Sequence, residues 1–273
     1  MLKQRVITAV ILLALFLLAL FLLPTLGWAV LVMVIVMQGL LEWTNLSKLS
    51  KKTVHAYLWL TLAVMLGIVG LDTQYPGQFE SLHMLIYGMS ALLWLVVVPL
   101  WLIAHWQVRQ PLLMMLIGWM LLIPTGLAMM DLRIQNPWWL LGVMGLVWVA
   151  DIAAYFSGRK FGKHKLASNI SPGKTWEGVF GALLGVTAYV LLIVWTNDLF
   201  TNYAALSGML LASWGWVGLA VIGDLFESAI KRQAGAKDSG ALLPGHGGLL
   251  DRIDALTSTL PLAAMVILLQ KMA

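Results

Sequence analysis

The sequence predicts an all-α, polytopic integral membrane protein with about nine transmembrane helices. Three observations predict it. Of the 273 residues, 61% are hydrophobic and 11% charged, whereas a soluble domain carries about 25% charged residues. The mean hydropathy is +0.89. The apolar residues also fall in runs of about 20, the length that crosses a hydrocarbon core of about 30 Å. Cysteine is absent, which excludes disulfide and thiolate chemistry.

Residues 1–136 hold five expected spans, at roughly 6–23, 26–44, 55–71, 83–104 and 111–130. The first follows Lys3 and Arg5 as the apolar part of a signal peptide would. No small-residue cleavage pattern comes after it and more spans do, so it is expected to be a retained helix. Around Pro24 the first two spans have a re-entrant hairpin as their alternative. Few ionisable groups lie in this region. Glu42 sits near the end of the second span, and His83 and His105 sit near span ends, where a wet imidazole needs no special role. Trp residues also fall mostly near span ends, as interfacial aromatics do. Nothing here points to chemistry. The region is expected to form a lipid-facing wall or an oligomer interface, with a second copy of the chain as a homodimer partner.

Residues 137–273 hold four more spans, at 137–157, 178–196, 204–223 and 250–270, separated by polar loops 158–177 and 231–249. Nine spans put the termini on opposite sides. With a cytoplasmic N-terminus, the inner segments carry two, three, one, five and four Lys or Arg residues, fifteen of the 17 in the chain. Only Arg133 and Lys271 fall outside, together with Asp72, Glu80, Asp131 and Asp198. That asymmetry obeys the positive-inside rule and predicts an inner (cytoplasmic) membrane protein with both polar loops in the cytoplasm.

The character of the chain changes at Asp151, an acid in the otherwise apolar Trp148–Phe156. A partnered structural acid and a functional one are both open there. A basic loop follows, with Arg159, Lys160, Lys163 and Lys165; topology and attraction to anionic headgroups account for it on its own. It ends in Ser171-Pro-Gly-Lys-Thr-Trp-Glu-Gly178. Gly173-Lys-Thr175 has the end of a P-loop, but Ser168 stands where the first glycine belongs and no strand is expected to lead in. The segment reads instead as a helix start, with Ser171 as cap, Pro172 in the first turn, and Lys174 and Glu177 on one face. A cation there opposes the helix dipole unless an anion binds, so Lys174 marks a candidate anion site. Gly181 and Gly185 have the Gly-x-x-x-Gly spacing of close helix packing.

Around the last two spans the charges concentrate. Asp224, expected to be buried, Ser228 and Lys231 are spaced i, i+4, i+7 and share a helix face, with Glu227 beside them. After Pro244-Gly-His-Gly-Gly248 the last helix opens with Asp251 and Asp254 at i, i+3. Three carboxylates from adjacent helices then converge. Such an oxygen-rich set suits Mg²⁺, which takes one or two carboxylates plus waters and substrate phosphates. The glycines offer backbone N–H groups beside a helix N-terminus, a setting for phosphate. Lys231, Arg232, Lys237 and Arg252 add countercharge. Ionisable groups beside hydrocarbon are costly and mark a functional site. An acid-held metal beside cations points to phosphoryl or nucleotidyl transfer, which is mostly positioning and charge neutralisation. At the inner membrane surface the substrates would be one soluble phosphorylated compound and one lipid; nothing calls for nucleic acid.

The segment is similar to the signature of the phosphatidate cytidylyltransferases (CDP-diacylglycerol synthases). That signature runs Ser-x-apolar-Lys-Arg, four residues, Lys-Asp, then Pro-x-His-Gly-Gly and Asp-Arg-x-Asp. It is matched here at Ser228, Lys231, Arg232, Lys237, Asp238, Pro244, His246, Gly247, Gly248, Asp251, Arg252 and Asp254. Ser171 to Gly178 resembles the family's second motif, so the likeness lies mainly in residues 151–254. It implies conversion of CTP and phosphatidic acid to CDP-diacylglycerol and pyrophosphate, with Mg²⁺ or Mn²⁺. In that reading Asp224, Asp251 and Asp254 hold the metal, and Lys174, Lys231 and Arg252 neutralise phosphates. His246 assists the leaving pyrophosphate, and the backbone from His246 to Gly248 cradles phosphate. Ser228 belongs to the catalytic set. Ser171, Glu177, Arg232, Lys237 and Asp238 complete the substrate site. Two rivals are a CTP-dependent enzyme for another lipid phosphate and an ion-coupled transporter using Asp151 and Asp224. Against the transporter, no inverted repeat is evident and the charges cluster at one face, away from the midplane.

Overall fold

A computed structural model describes residues 2–242, 245 and 247–272. The helices are α1 (Leu2–Leu22), α2 (Thr25–Leu46), α3 (Lys51–Gln74), α4 (Glu80–Leu92), α5 (Val98–Ala104), α6 (Pro111–Gln135), α7 (Pro137–Phe161), α8 (Trp176–Thr196), α9 (Tyr203–Ala234) and α10 (Leu250–Met272). A π-helical turn, Leu93–Val97, joins α4 to α5 into one span just before Pro99, whose missing N–H interrupts the α pattern. Eight spans among the described residues are long and apolar enough to cross a membrane, and Thr8–Leu22 is a shorter apolar helix. A helix stands at each of the nine expected positions, eight of them long enough to count as spans.

The helix starts follow from local chemistry. Ser50 Oγ accepts the Thr53 N–H, Asn136 caps Trp138 and Asn202 caps Ala205. Pro111 and Pro137 open α6 and α7, where a missing N–H costs nothing. Two boundaries differ from expectation. α9 continues from 223 to Ala234, supported by an i, i+4 pair between Glu227 and Lys231, and ends at Gly235 in the left-handed conformation.

The second difference is that Ser171–Thr175 is not the start of a helix. It is a strand, β2, paired antiparallel with β1 (Lys165–Ala167), with Lys165 opposite Thr175 and Ala167 opposite Ser171. In a two-stranded hairpin both strands are edges, where a proline without its N–H is tolerated. The cap of α8 is Thr175, whose Oγ1 accepts the Gly178 N–H at 3.2 Å. Ser171 therefore caps nothing, and Lys174 and Glu177 do not share a helix face.

One hydrophobic core runs from Leu20 to Leu268 and draws on both residues 1–136 and residues 137–273. α10 packs on α9, α6 and α4, so N-terminal helices support the helix that carries Asp251 and Asp254. α7, α8 and α9 share a second cluster of Ala150, Ala182, Val186 and Val217. The Gly-x-x-x-Gly reading holds: a Cβ on Gly181 would lie 2.0 Å from Ser157 Oγ, so only glycine lets α7 and α8 come this close.

The bundle has two distinct ends. At one, Lys271 pairs with Glu80, and Arg133 donates to the carbonyls of Leu20 in the last turn of α1 and Leu23 just after it. His83 lies at this end but is not a wet imidazole. It is 6% exposed, with Nδ1 2.8 Å from Asp131 Oδ2 and Nε2 3.2 Å from Asp72 Oδ2. The ring joins α3, α4 and α6. At the other end Gln233 holds both backbone groups of Val108. The Asp- and Lys-rich motifs gather there too.

Candidate active site

Three helices and the hairpin meet around a cleft of about 380 Å³. α7 contributes Asp151, Ala154, Tyr155, Gly158 and Arg159; the hairpin contributes Leu166 and Gly173 to Thr175; α9 contributes Ala220, Val221 and Asp224. Gly178 and Val179 of α8 close it. Apolar side chains, among them Leu166, Val179 and Val221, and the charged Asp151, Arg159, Lys174 and Asp224 both line it. The cleft thus offers contact to a hydrocarbon chain and to an anion in the same space.

Among these charged residues, Lys174 Nζ lies 2.7 Å from Asp224 Oδ2. The hairpin carries the lysine out of the basic loop and lays it across α9. Contrary to the expectation of a buried acid, the Asp224 side chain is 35% exposed and forms cleft wall. Its other oxygen accepts Ser228 Oγ at 3.3 Å. Asp254 approaches from α10, because Gly223 lets the two helices nearly touch: a Cβ there would lie 2.8 Å from the Asp254 carbonyl oxygen. Asp151, Asp224 and Asp254 interact electrostatically with one another and with Lys174, and Arg252 interacts with Asp151. Three acids and two cations therefore form one charged group, drawn from four elements.

Asp251 stands apart from that group. Its Oδ1 is 2.6 Å from Lys231 Nζ, which also lies 2.5 Å from Glu227 Oε2. Its Oδ2 accepts the backbone N–H groups of Ser239 and Gly248 at 2.9 and 2.8 Å. Lys231 thus pairs with Glu227 and Asp251, whereas Asp224 pairs with Lys174. The Gly248 amide is engaged within the protein. Among the described residues no three His, Asp or Glu side chains are arranged to hold a metal ion.

The remaining expected site residues brace the hairpin and the loop. Glu177 accepts the His164 backbone N–H at 3.2 Å and lies 2.7 Å from His164 Nδ1, anchoring the entry to β1. Arg232 donates to the Ile170 carbonyl at 3.3 Å, which ties the hairpin tip to α9. Ser171 pairs with Ala167. Lys237 and Asp238 are exposed. Gly247 has φ +81, and a Cβ there would come 2.6 Å from Asp251 Oδ2. His246 and Pro244 lie outside the described residues.

Sequence reasoning left three residues out of the site. Arg159 lines the cleft and bonds the Tyr155 hydroxyl at 3.0 Å, yet in the sequence it is one of several loop cations. Tyr155 sits one turn before it and carried no signal beyond its aromatic ring. Glu42 had a signal, a lone acid in an apolar run, which warrants a functional hypothesis by default.

The same chemistry appears in the comparisons with known proteins. A model described as "Cytidylyltransferase family" matches residues 3–270. A phosphatidate cytidylyltransferase of Haemophilus influenzae is 37% identical, covering 96% of this chain and 96% of the relative. One of Pseudomonas aeruginosa is 38% identical, covering 98% and 97%. Another, of Thermotoga maritima, is 44% identical over 126 residues, 45% of this chain and 47% of the relative. A match over nearly the whole length, with the charged residues of both motifs assembled at one end of the bundle, places this chain in the cytidylyltransferase family.

Proposed function

We propose that the protein is a phosphatidate cytidylyltransferase, converting CTP and phosphatidic acid to CDP-diacylglycerol and pyrophosphate. The observation that carries the reading is the cleft itself. Its apolar lining residues and its Lys174–Asp224 pair suit a lipid whose polar end is a phosphate, and two of the relatives named above are 37% and 38% identical over nearly the whole chain.

The reaction needs little covalent help from the protein. A phosphate oxygen of phosphatidic acid attacks the α-phosphorus of CTP, the bond from that phosphorus to the bridging oxygen breaks, and pyrophosphate leaves with the electron pair. A phosphate monoester is already largely dianionic near neutral pH, its second pKa being about 6. A strong general base is therefore unnecessary. The work is to bring two polyanions together. Lys174, Arg252 and Arg159 lie where they would neutralise phosphate oxygens, and Lys174 can exchange Asp224 for substrate. Lys231 can exchange Asp251 in the same way.

The donor set fits a Mg²⁺ ion, or Mn²⁺ in its place, of the kind that uses few protein ligands. Asp224 and Asp254 would hold it, joined by Asp251 once Lys231 turns to phosphate. When bound, such an ion neutralises the triphosphate. We place the protein in the inner (cytoplasmic) membrane with the cleft facing the cytoplasm, where CTP is found; the fifteen-to-two charge bias supports this.

The test is an assay of the purified full-length protein with labelled CTP against a panel of lipid phosphates. Phosphatidic acid should give a labelled CDP-lipid and pyrophosphate in equal amounts. Product with another lipid phosphate and none with phosphatidic acid would overturn the substrate assignment.

A further inference from the structure

Glu42 lies in α2, far in sequence from both motifs, and is 3% exposed. A carboxylate among apolar helices is costly unless its oxygens are met. Here both are. Oε1 accepts the Leu249 N–H at 2.9 Å and Gln38 Nε2 at 3.1 Å. Oε2 accepts the Leu250 N–H at 2.9 Å and Ser239 Oγ at 2.7 Å. Three of these four donors belong to the loop and first turn that present Asp251, Arg252 and Asp254.

The position is informative. α10 begins at Leu250, so the Leu249 and Leu250 amides are among the unpaired N–H groups of a helix start, where an anion is favoured. Glu42 is that anion, supplied by another helix. Asp251 takes the neighbouring Gly248 and Ser239 amides. The two carboxylates together hold both sides of the loop. Gly248 reads in sequence as a phosphate cradle, but its missing side chain makes room for Glu42: a Cβ there would lie 2.2 Å from Glu42 Oε2 and from Ser239 Oγ.

We propose that Glu42 is a positioning residue for catalysis. By gripping Ser239, Leu249 and Leu250 it sets the height and rotation of the α10 start, and so the placement of Asp251, Arg252 and Asp254 against Asp224 and Lys174. This inference rests on the cytidylyltransferase reading of that site. It differs from a purely structural role in what it loads onto turnover. Glu42 is buried with both oxygens bonded within the protein, so its loss should lower kcat and leave KM nearly alone.

The test compares the full-length protein with its Glu42→Gln variant. Glutamine keeps the shape, removes the charge and turns one acceptor into a donor facing an N–H. The expected result is a fall of kcat by at least about tenfold, of the size a small misplacement of reacting groups produces, with KM for CTP and phosphatidic acid within about threefold. A spin label on Ala241→Cys, an exposed loop position in a chain without cysteine, should become more mobile in the Glu42→Gln background. A kcat within twofold of the unsubstituted protein overturns the proposal, as does a large loss of kcat with unchanged label mobility. If Glu42→Gln does not fold, Ser239→Ala decides. It removes one bond to Glu42 and keeps the charge, so a severalfold fall in kcat supports the proposal and native kcat overturns it. An unsubstituted protein inactive with CTP and phosphatidic acid would instead defeat the underlying reading.

Discussion

Lys174 and Lys163 carry the same charge in the same basic stretch, and their settings could hardly differ more. Lys174 is held on a strand, 21% exposed and paired with Asp224, whereas Lys160, Lys163 and Lys165 are exposed. Charges near a membrane surface contribute roughly 1 kcal/mol each and are screened by salt. A cation aimed at a transferring phosphate acts on charge that develops in the transition state, and losing such a donor costs about 10²–10³ in rate. Lys174→Ala should therefore cut kcat by about that factor, with little relief from more CTP. Lys160→Ala, Lys163→Ala and Lys165→Ala should each change activity only a few-fold. Equal small effects at all four would make Lys174 another topology charge. The acids give a second prediction at this scale. Asp224→Asn, Asp251→Asn and Asp254→Asn should each lose most turnover while still inserting, and chelator should abolish activity in the parent. Full activity in chelator would remove the metal from the mechanism. The types and spacing of these acids were legible in the sequence, but their division was not. Which carboxylate meets a lysine and which faces the cleft depends on side-chain partners from other elements, as with Lys231 and Asp251.

At the scale of elements, the site depends on how closely α9 and α10 approach. Gly223 permits that approach next to both Asp224 and Asp254: a Cβ there would lie 2.7 Å from Ser258 Oγ and 2.8 Å from the Asp254 carbonyl oxygen. Gly223→Ala should therefore push the helices apart. Such overpacking costs about 1–3 kcal/mol, and a displacement of about 1 Å between reacting groups can cost about 10²-fold. The expected outcome is a lowered melting midpoint with a larger loss of kcat than that destabilisation explains. Native kcat in this variant would show that the Asp224–Asp254 approach is not part of catalysis. The hairpin gives the contrasting lesson in legibility. Ser171-Pro-Gly-Lys has good helix-start residues, and local reasoning preferred a cap. Pairing with Lys165–Ala167 decided otherwise, and the cap fell to Thr175. A short hairpin between two spans has no periodicity to announce it. Its supports, Glu177 on His164 and Arg232 on Ile170, are long-range.

For the whole molecule, hydropathy was sufficient to place the apolar helices, eight of which among the described residues are long and apolar enough to cross. It could not reveal that residues 1–136 are built into the site's foundations, since Glu42 acts on the loop before α10 only once the bundle has formed. The charge distribution goes one step further and predicts an orientation for the bundle. Gln233 with Val108, and Glu42 with Leu249, bring the inner loops together at one end, whereas Lys271 and Glu80 meet at the other. Under the positive-inside rule the first end is expected to face the cytoplasm. The absence of cysteine makes this directly measurable. Ala241 and Thr201 are both exposed and lie at opposite ends. In spheroplasts expressing single-cysteine variants, an impermeant maleimide should label Thr201→Cys, and should label Ala241→Cys only after the membrane is opened. Labelling of Ala241→Cys from outside would invert the orientation. The cleft would then face away from cytoplasmic CTP, and the fifteen-to-two bias would have to arise from something other than topology.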